Sequence, residues 1–71
     1  MPRLPSAKQT IRVVEKLGFI LTRQKGSHVI CRHLDGRRIT IPIHAGKEIS
    51  PCVFGQILKD LNLSSKDFWN L

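Results

Sequence analysis

The chain has 71 residues, enough for one small domain over residues 1–71 and too few for a large multi-step enzyme with a deep enclosed cleft. Its 12 Lys and Arg residues outnumber its 5 Asp and Glu residues, and the formal net charge of +7 predicts a polyanionic partner. At 41% hydrophobic residues the composition is that of an ordinary globular domain, and no apolar run approaches the roughly 20 residues of a membrane span.

The first predicted element is an amphipathic helix over residues 6–17. Ser6 and Gln9 fit a capping box at its start, and Gly18 fits the left-handed residue that ends many helices. Apolar residues recur at helical spacing on one face: Ala7, Ile11, Val14 and Leu17. The opposite face carries a row of cations: Lys8, Arg12 and Lys16. This row is either a solvated surface or a ridge that contacts phosphates.

Three short runs rich in β-branched residues follow, and they predict an antiparallel meander. The runs are FILTRQ (19–24), HVICRH (28–33) and RRITIPI (37–43). The turn signals Lys25-Gly26 and Asp35-Gly36 separate them. In the third run isoleucines alternate with other residues, so we expect one buried face and one wet face. Pro42 cannot donate a ladder hydrogen bond, which indicates an edge strand or a bulge.

The length of the second hairpin loop determines the direction of His28. A three-residue loop over residues 34–36 places His28 on the open face of the sheet and sets Cys31 opposite Ile39 on the buried side. A two-residue loop instead turns His28 toward the core. We favour the three-residue loop because the alternative sets Arg32 against Ile39 on the buried face.

A second helix is predicted over residues 51–61, with Ser50 as its N-cap and Pro51 at its first position. Its apolar stripe is expected to pack on the isoleucine face of the sheet: Phe54, Ile57, Leu58 and Leu61. Gly55 costs about 1 kcal/mol relative to alanine, which close packing would justify. Phe68 and Trp69, on a last helical turn, are interpreted as a lid on the core. The result is an α+β fold of order α-β-β-β-α, with a three-stranded antiparallel sheet and both helices on one face.

The positive charge is concentrated in the first two thirds of the chain. Residues 1–47 contain ten Lys and Arg against two acids, whereas residues 48–71 contain two Lys against three acids. Such a surface attracts the phosphates of nucleic acids, although an anionic membrane or an acidic protein would also satisfy it. Residues 1–10 lack the apolar stretch of a signal peptide, so we expect a cytoplasmic protein in which Cys31 and Cys52 are reduced thiols.

The segment from Arg23 to His28 concentrates cations, a glycine, a hydroxyl and an imidazole at the first hairpin. His28 is the candidate general acid/base, because imidazole can accept and donate a proton near neutral pH. On RNA such a base can take the proton of a ribose 2′-OH, whose oxygen then attacks the adjacent phosphate. A lone histidine beside a turn is more often structural, so the residues alone leave both roles open.

The other histidines are weaker candidates. His44 is expected near the His28 end of the sheet, as a second acid/base, a phosphate donor or a loop-stabilising residue, whereas His33 lies at the far end of its hairpin. No metal site is predicted, because Cys31 and His28 point to opposite strand faces and the spacing matches no zinc pattern. No Gly-rich phosphate loop or catalytic Ser/His/Asp order is present, so we expect no cofactor.

Five motifs, in this order, resemble the HicA (YcfA-like) toxins of bacterial type II toxin–antitoxin systems. They are Lys16-Leu17-Gly18-Phe19, Arg23-Gln24-Lys25-Gly26-Ser27-His28, Asp35-Gly36-Arg37-Arg38, Ile41-Pro42-Ile43-His44-Ala45-Gly46-Lys47-Glu48 and Ile57-Leu58-Lys59. The resemblance extends over nearly the whole chain, from the first helix to Leu63-Ser64, and its specificity comes from the combination of motifs at these spacings.

The resemblance implies a fold like that of double-stranded-RNA-binding domains (dsRBD-like), in agreement with the predicted order of elements. It also implies an endoribonuclease that cleaves mRNA and stops translation, with His28, after Gly-Ser, as the catalytic residue. Lys25, Ser27 and His44 are candidate auxiliary residues. The implied partner is a HicB antitoxin that binds the toxin and obstructs its active site.

Three hypotheses follow from the sequence. The leading one is a metal-independent endoribonuclease toxin whose cations hold RNA phosphates: Lys8, Arg12, Arg23, Lys25, Arg32, Arg38 and Lys47. The second is a non-catalytic module that binds double-stranded RNA with the same fold and charge. The third is a protein-interaction domain whose cations meet an acidic partner. The fold cannot separate them, since function resides in the site.

Overall fold

A computed structural model describes residues 3–43 and 48–71 of the chain. The elements follow the order α1 (Ala7–Lys16), β1 (Ile20–Lys25), β2 (His28–Arg32), β3 (Arg38–Pro42), α2 (Pro51–Leu61) and α3 (Ser65–Trp69). The predicted α-β-β-β-α order and the α+β class are confirmed. The last predicted turn is a helix of five residues.

The boundaries of α1 are set by its two ends. Ser6 Oγ accepts the Gln9 amide N–H at 3.1 Å, and the Gln9 side chain accepts the Ser6 amide N–H at 2.9 Å, which completes the predicted capping box. Beyond the helix, Gly18 has φ of +97°, a conformation that glycine adopts with the least strain. This turn directs Phe19 into the core.

The sheet is antiparallel, with strand order β1-β2-β3. Cys31 pairs with Ile39 and His28 pairs with Pro42, as the three-residue loop predicts. Gly36 closes that loop with φ of +97°, and its amide donates to the His33 carbonyl at 3.0 Å. Pro42 lies on β3, an edge strand, so its missing N–H interrupts no second ladder.

The core occupies one side of the sheet. Val29, Cys31, Ile39 and Ile41 are each at most 1% exposed, and they belong to one cluster with buried residues of all three helices. Both long helices therefore cover this face, as expected. β1 contributes no buried residue, because all six of its side chains are exposed, and the chain reaches the core through Phe19 instead.

The C-terminal aromatics form the predicted lid on the core. Phe68 is fully buried and meets the Phe54 ring edge to face, with centroids 5.0 Å apart. The Trp69 indole N–H donates to the Arg3 carbonyl at 3.3 Å, and the Arg3 guanidinium lies 4.1 Å from the centroid of the Trp69 ring. These contacts fasten α3 to the N-terminal segment and engage Trp69 within the fold.

Two further expectations concern small side chains. A Cβ atom on Gly55 would meet nothing within 4 Å, so close packing does not explain this glycine. Cys31 is buried on the sheet and Cys52 is exposed on α2, and neither thiol is in a disulfide in this structure.

Candidate functional site

We call the sheet face turned away from the helices the open face. The pairing of the strands assigns alternate residues to it: Ile20, Arg23, Lys25, His28, Ile30, Arg32, Arg38, Thr40 and Pro42. This set contains four cations and a histidine but no carboxylate. The open face therefore presents one sign of charge on a rigid, hydrogen-bonded support.

His28 occupies one end of the open face. It is the first residue of β2, exposed to solvent, and pairs with Lys25 of β1 on one side and Pro42 of β3 on the other. Among the described residues, neither His28 nor Lys25 has a side-chain hydrogen-bond partner. The imidazole and the ammonium group are thus side by side and available to a ligand.

The backbone around His28 is fixed by hydrogen bonds to the turn that precedes it. Gly26 and Ser27 form the tight turn between β1 and β2, with Gly26 at φ of +59°, and the Gln24 side-chain amide donates to the Gly26 carbonyl at 3.3 Å. The Ser27 carbonyl accepts the Ile43 amide N–H at 2.6 Å. Because both neighbouring strands hold this turn, His28 is presented by the sheet and not by a free loop.

A groove occupies the middle of the open face. It has a volume of about 340 Å³ and is lined by Thr22, Arg23, Ile30, Arg32 and Arg38. We call it the arginine groove. Ile30 forms its apolar floor and lies two residues beyond His28 on β2, a Cα separation of about 7 Å. The groove and the histidine are therefore adjacent parts of one surface.

A β-bulge in β1, which no feature of the sequence pattern predicts, shapes this groove. The pairing shifts by one residue between Leu21 and Arg23, so Thr22 is the additional residue. The Thr22 hydroxyl donates to the Ile30 carbonyl at 3.1 Å, which holds the bulge against β2. Leu21 pairs with Cys31 of the covered face, so strict alternation would place Arg23 and Lys25 on the covered face as well. The additional residue shifts the alternation by one and places both cations on the open face.

The remaining predicted site residues fall in three places. Ser27 lies in the turn directly before His28 and is exposed. Lys8 and Arg12 are exposed on α1, which packs on the covered face, so the fold does not bring them together with His28. His44 and Lys47 lie outside the described residues, so the expected proximity of His44 to His28 and the RNA-binding role of Lys47 stay predictions.

The opposite end of the sheet carries a cluster that the site does not use. Asp35 accepts the Arg37 amide N–H at 3.0 Å and the Arg37 Nε–H at 2.8 Å, and its amide donates to His33 Nδ1 at 3.1 Å. The hydrogen bond from the Arg37 backbone, with help from its guanidinium, lowers the pKa of the Asp35 carboxyl below its ordinary value. The His33 ring meets Phe19 edge to face at 5.1 Å. This cluster therefore stabilises the hairpin turn.

Cysteine and metal chemistry find little support in the described residues. Burial, with the nearby Glu15 charge, raises the pKa of the Cys31 thiol and so disfavours its nucleophilic thiolate form. Over residues 3–43 and 48–71 no group of three or more His, Cys, Asp or Glu side chains is arranged to hold a metal ion. In the same part of the chain, no helix is both long enough and apolar enough to cross a membrane.

A comparison with known protein families gives a match over most of the chain. A family model described as "HicA toxin of bacterial toxin-antitoxin" matches residues 7–63. The matched span runs from α1 through α2 and contains the complete open face. A search of curated proteins found no match.

Proposed function

The chain belongs to the HicA toxin family of bacterial toxin–antitoxin systems, and we propose that it is an endoribonuclease that cleaves mRNA and thereby inhibits translation. The single observation that carries this proposal is the position of His28. It is exposed, held by backbone hydrogen bonds at a strand end, and paired with Lys25 on a face that bears only positive charge. An RNA strand on this face would bring its sugar and phosphate groups against an acid/base residue.

The proposed reaction uses the 2′-OH of the substrate as its nucleophile. Neutral His28 accepts the 2′-OH proton while the 2′-oxygen attacks the adjacent phosphorus atom and the bond from phosphorus to the 5′-oxygen breaks. A proton from imidazolium or from Lys25 goes to the departing 5′-oxygen. The products are a 2′,3′-cyclic phosphate and a 5′-hydroxyl, so no water molecule and no oxidant enter this step.

The cations of the open face have two roles in this proposal. Lys25 lies next to His28 and stabilises the negative charge that develops on the phosphate oxygens. Arg23, Arg32 and Arg38 bind neighbouring phosphates and hold the strand in register with the imidazole. Because protein cations supply this stabilisation, we propose a metal-independent reaction, to which Ser27 and His44 are candidate contributors.

A toxin of this class has an antitoxin partner, and we propose a HicB-type protein that covers the open face. Four cations without a carboxylate form a surface that an acidic inhibitor complements. The same surface would then serve RNA and inhibitor in turn, which makes binding of the two mutually exclusive. We place both events in the cytoplasm, where mRNA is translated.

The decisive experiment compares the wild type with His28→Ala. We expect general acid/base catalysis to contribute about 10²–10⁴-fold, so the variant should lose RNA cleavage and toxicity on induced expression while keeping its melting temperature. His33→Asn is the matched histidine control, because His33 lies at the far end of the sheet, and it should retain cleavage. Purified wild type should leave 2′,3′-cyclic phosphate ends and act in the presence of chelator.

Several outcomes would contradict this assignment. Equal toxicity of the wild type and His28→Ala would exclude His28 as the catalytic residue of the toxin, and intact transcripts with the wild type would exclude a nuclease. Cleavage products with 3′-hydroxyl ends would exclude attack by the 2′-OH, and a requirement for a divalent ion would exclude the metal-independent route. Intact RNA with strong salt-sensitive binding to duplexes would instead establish a non-catalytic double-stranded-RNA-binding module.

A further inference from the structure

The arginine groove has a charge arrangement that stability alone does not explain. Arg32 and Arg38 are direct cross-strand partners, and Arg23 approaches the same groove from β1. The next rung of the ladder is the hydrogen bond from the His33 amide to the Arg37 carbonyl, so Arg32 and Arg38 form a non-hydrogen-bonded pair. Side chains approach most closely in such pairs, and like charges directly opposite destabilise a sheet.

No acid relieves this repulsion within the described residues. The salt bridge found there joins Asp35 to Arg37, whereas Arg23, Arg32 and Arg38 have no carboxylate partner. The contrast with Arg37 is informative, because it is the immediate neighbour of Arg38. Its guanidinium pairs with Asp35 and lies 5.2 Å from the Phe19 ring centroid, so it is occupied within the fold. The groove arginines are left for an external anion.

The floor of the groove is apolar. Ile30 is half-buried between the arginines, and the Thr22 hydroxyl is turned toward the Ile30 carbonyl. A volume of about 340 Å³ is at the lower end of the range of small-molecule sites. An aliphatic surface surrounded by guanidinium groups suits a ligand that carries both a flat ring and a phosphate.

We propose that the arginine groove binds one nucleotide of single-stranded RNA next to the bond that His28 attacks. This inference rests on the proposed nuclease function. The base lies on Ile30, and the phosphate lies between Arg32 and Arg38, with Arg23 on its other side. The site requires that nucleotide to be unpaired. A base within a duplex is already stacked on both sides and cannot reach Ile30.

The first test measures whether removal of a groove arginine raises or lowers the melting temperature. In buffer of low ionic strength, Arg38→Gln should raise the melting temperature by about 2–4 °C, because it removes one member of the like-charge pair. Lys59→Gln removes the same charge from the last turn of α2, where a cation is favourable, and should not raise it. Inorganic phosphate should stabilise the wild type more than chloride at equal ionic strength, and this advantage should shrink in Arg38→Gln.

The second test measures RNA binding without cleavage, in the His28→Ala background. A short single-stranded RNA should bind more tightly than the same sequence in a duplex. Arg38→Gln should weaken single-strand binding about tenfold and reduce the slope of log K against log salt by about 0.7, whereas Lys59→Gln should change neither. Ile30→Ala should weaken single-strand binding without changing the salt slope, because it removes an apolar contact.

Each result decides the proposal. A lower melting temperature in Arg38→Gln than in Lys59→Gln, unchanged RNA affinity, or equal affinity for single strand and duplex would overturn it. If Arg38→Gln lost binding to an acidic protein but kept the RNA affinity of its parent, the groove would be a protein-binding surface instead. Failure of the nuclease is read separately, from RNA cleavage by the wild type, since neither the melting nor the binding measurement depends on cleavage.

Discussion

The two faces of the sheet have opposite characters although they are built from the same strands. On the covered face, Val29 and Ile41 are almost completely buried under the helices. His28 and Ile30, the immediate neighbours of Val29, lie on the other side, among four cations. Successive residues of β2 thus serve folding and function in turn, because side chains alternate with a period of two.

This comparison teaches how a very small domain can contain a binding surface. A separate pocket needs walls, and 71 residues supply little material for them. One sheet face buries the apolar residues, and the strand pairing that results fixes the positions of residues on the other. Substitutions on the covered face should therefore act through stability, and substitutions on the open face through RNA.

The largest effect should come from truncating a covered-face isoleucine. Ile39 is 1% exposed, and Ile39→Ala should lower the free energy of unfolding of the protein by about 2–5 kcal/mol, because a cavity remains in the core. A domain of this size has only about 4–10 kcal/mol in total, so the loss takes a large share of the stability and should lower toxicity by reducing the amount of folded toxin. Urea denaturation followed by circular dichroism measures it.

Ile30→Ala is the matched control on the open face. The same atoms are removed from a half-buried side chain, and the cost should not exceed about 1 kcal/mol. Equal losses at Ile39 and Ile30 would mean that both faces are packed alike, and the separation of folding from function would then be wrong.

The next effect concerns two glycines in the helical layer and its connection to the sheet. Gly18→Ala should cost about 1–2 kcal/mol, because φ is +97° and the new Cβ would lie 3.0 Å from His33 Nε2. Gly55→Ala should instead add about 0.5–1 kcal/mol, since it lies inside α2 and nothing is within 4 Å of a Cβ there. Thermal melting of both variants measures the signs.

Opposite signs would show that Gly18 is required by the geometry that joins α1 to the sheet, whereas Gly55 is replaceable. If Gly18→Ala were neutral, the backbone at this turn would be free to relax, and the position of Phe19 would have to be fixed by other contacts. If Gly55→Ala were destabilising, the space around a Cβ atom at this position of α2 would not be open, and the expected gain from helix propensity would be wrong.

The sequence was most informative where local chemistry determines structure. The capping box at Ser6, the proline at the start of α2 and the loop length before β3 each predicted an observed feature. The direction of His28 followed from one argument, that Arg32 should not face Ile39 in the core. The isoleucine alternation of β3 then determined which residues are covered.

The parts that could not be predicted depend on pairing at a distance. The bulge at Thr22 leaves no signal in β1, because that strand has no buried residue whose alternation would reveal it. The arginine groove depends on the bulge, so its position could not be predicted from the sequence, although its three arginines are all predicted RNA-binding residues. The separation of Lys8 and Arg12 from His28 likewise required knowing which face α1 covers.

The smallest effect should appear at the hairpin end of the sheet, where the Asp35 carboxylate accepts two hydrogen bonds from Arg37. Because these contacts lower the pKa of Asp35, its contribution to stability is present above about pH 4 and is lost as the pH falls through the folded-state pKa. Asp35→Asn keeps the shape and removes the charge. At pH 6 the melting temperature of the wild type should be higher than that of Asp35→Asn, by less than the change that Gly18→Ala causes. The difference between the two melting temperatures should disappear in acid.

Asp60→Asn is the matched carboxylate substitution, near the C-terminal end of α2, where a negative charge is unfavourable. It should therefore not lower the melting temperature at pH 6. A difference between the wild type and Asp35→Asn that stayed constant down to pH 2 would mean that the shape of the turn, and not the charge on Asp35, stabilises it. The Asp35 cluster lies at the far end of the sheet from His28, and none of its side chains lines the arginine groove, although Arg37 is the neighbour of Arg38. RNA binding by Asp35→Asn, which removes a negative charge, should therefore be no weaker than that of the wild type wherever both are folded.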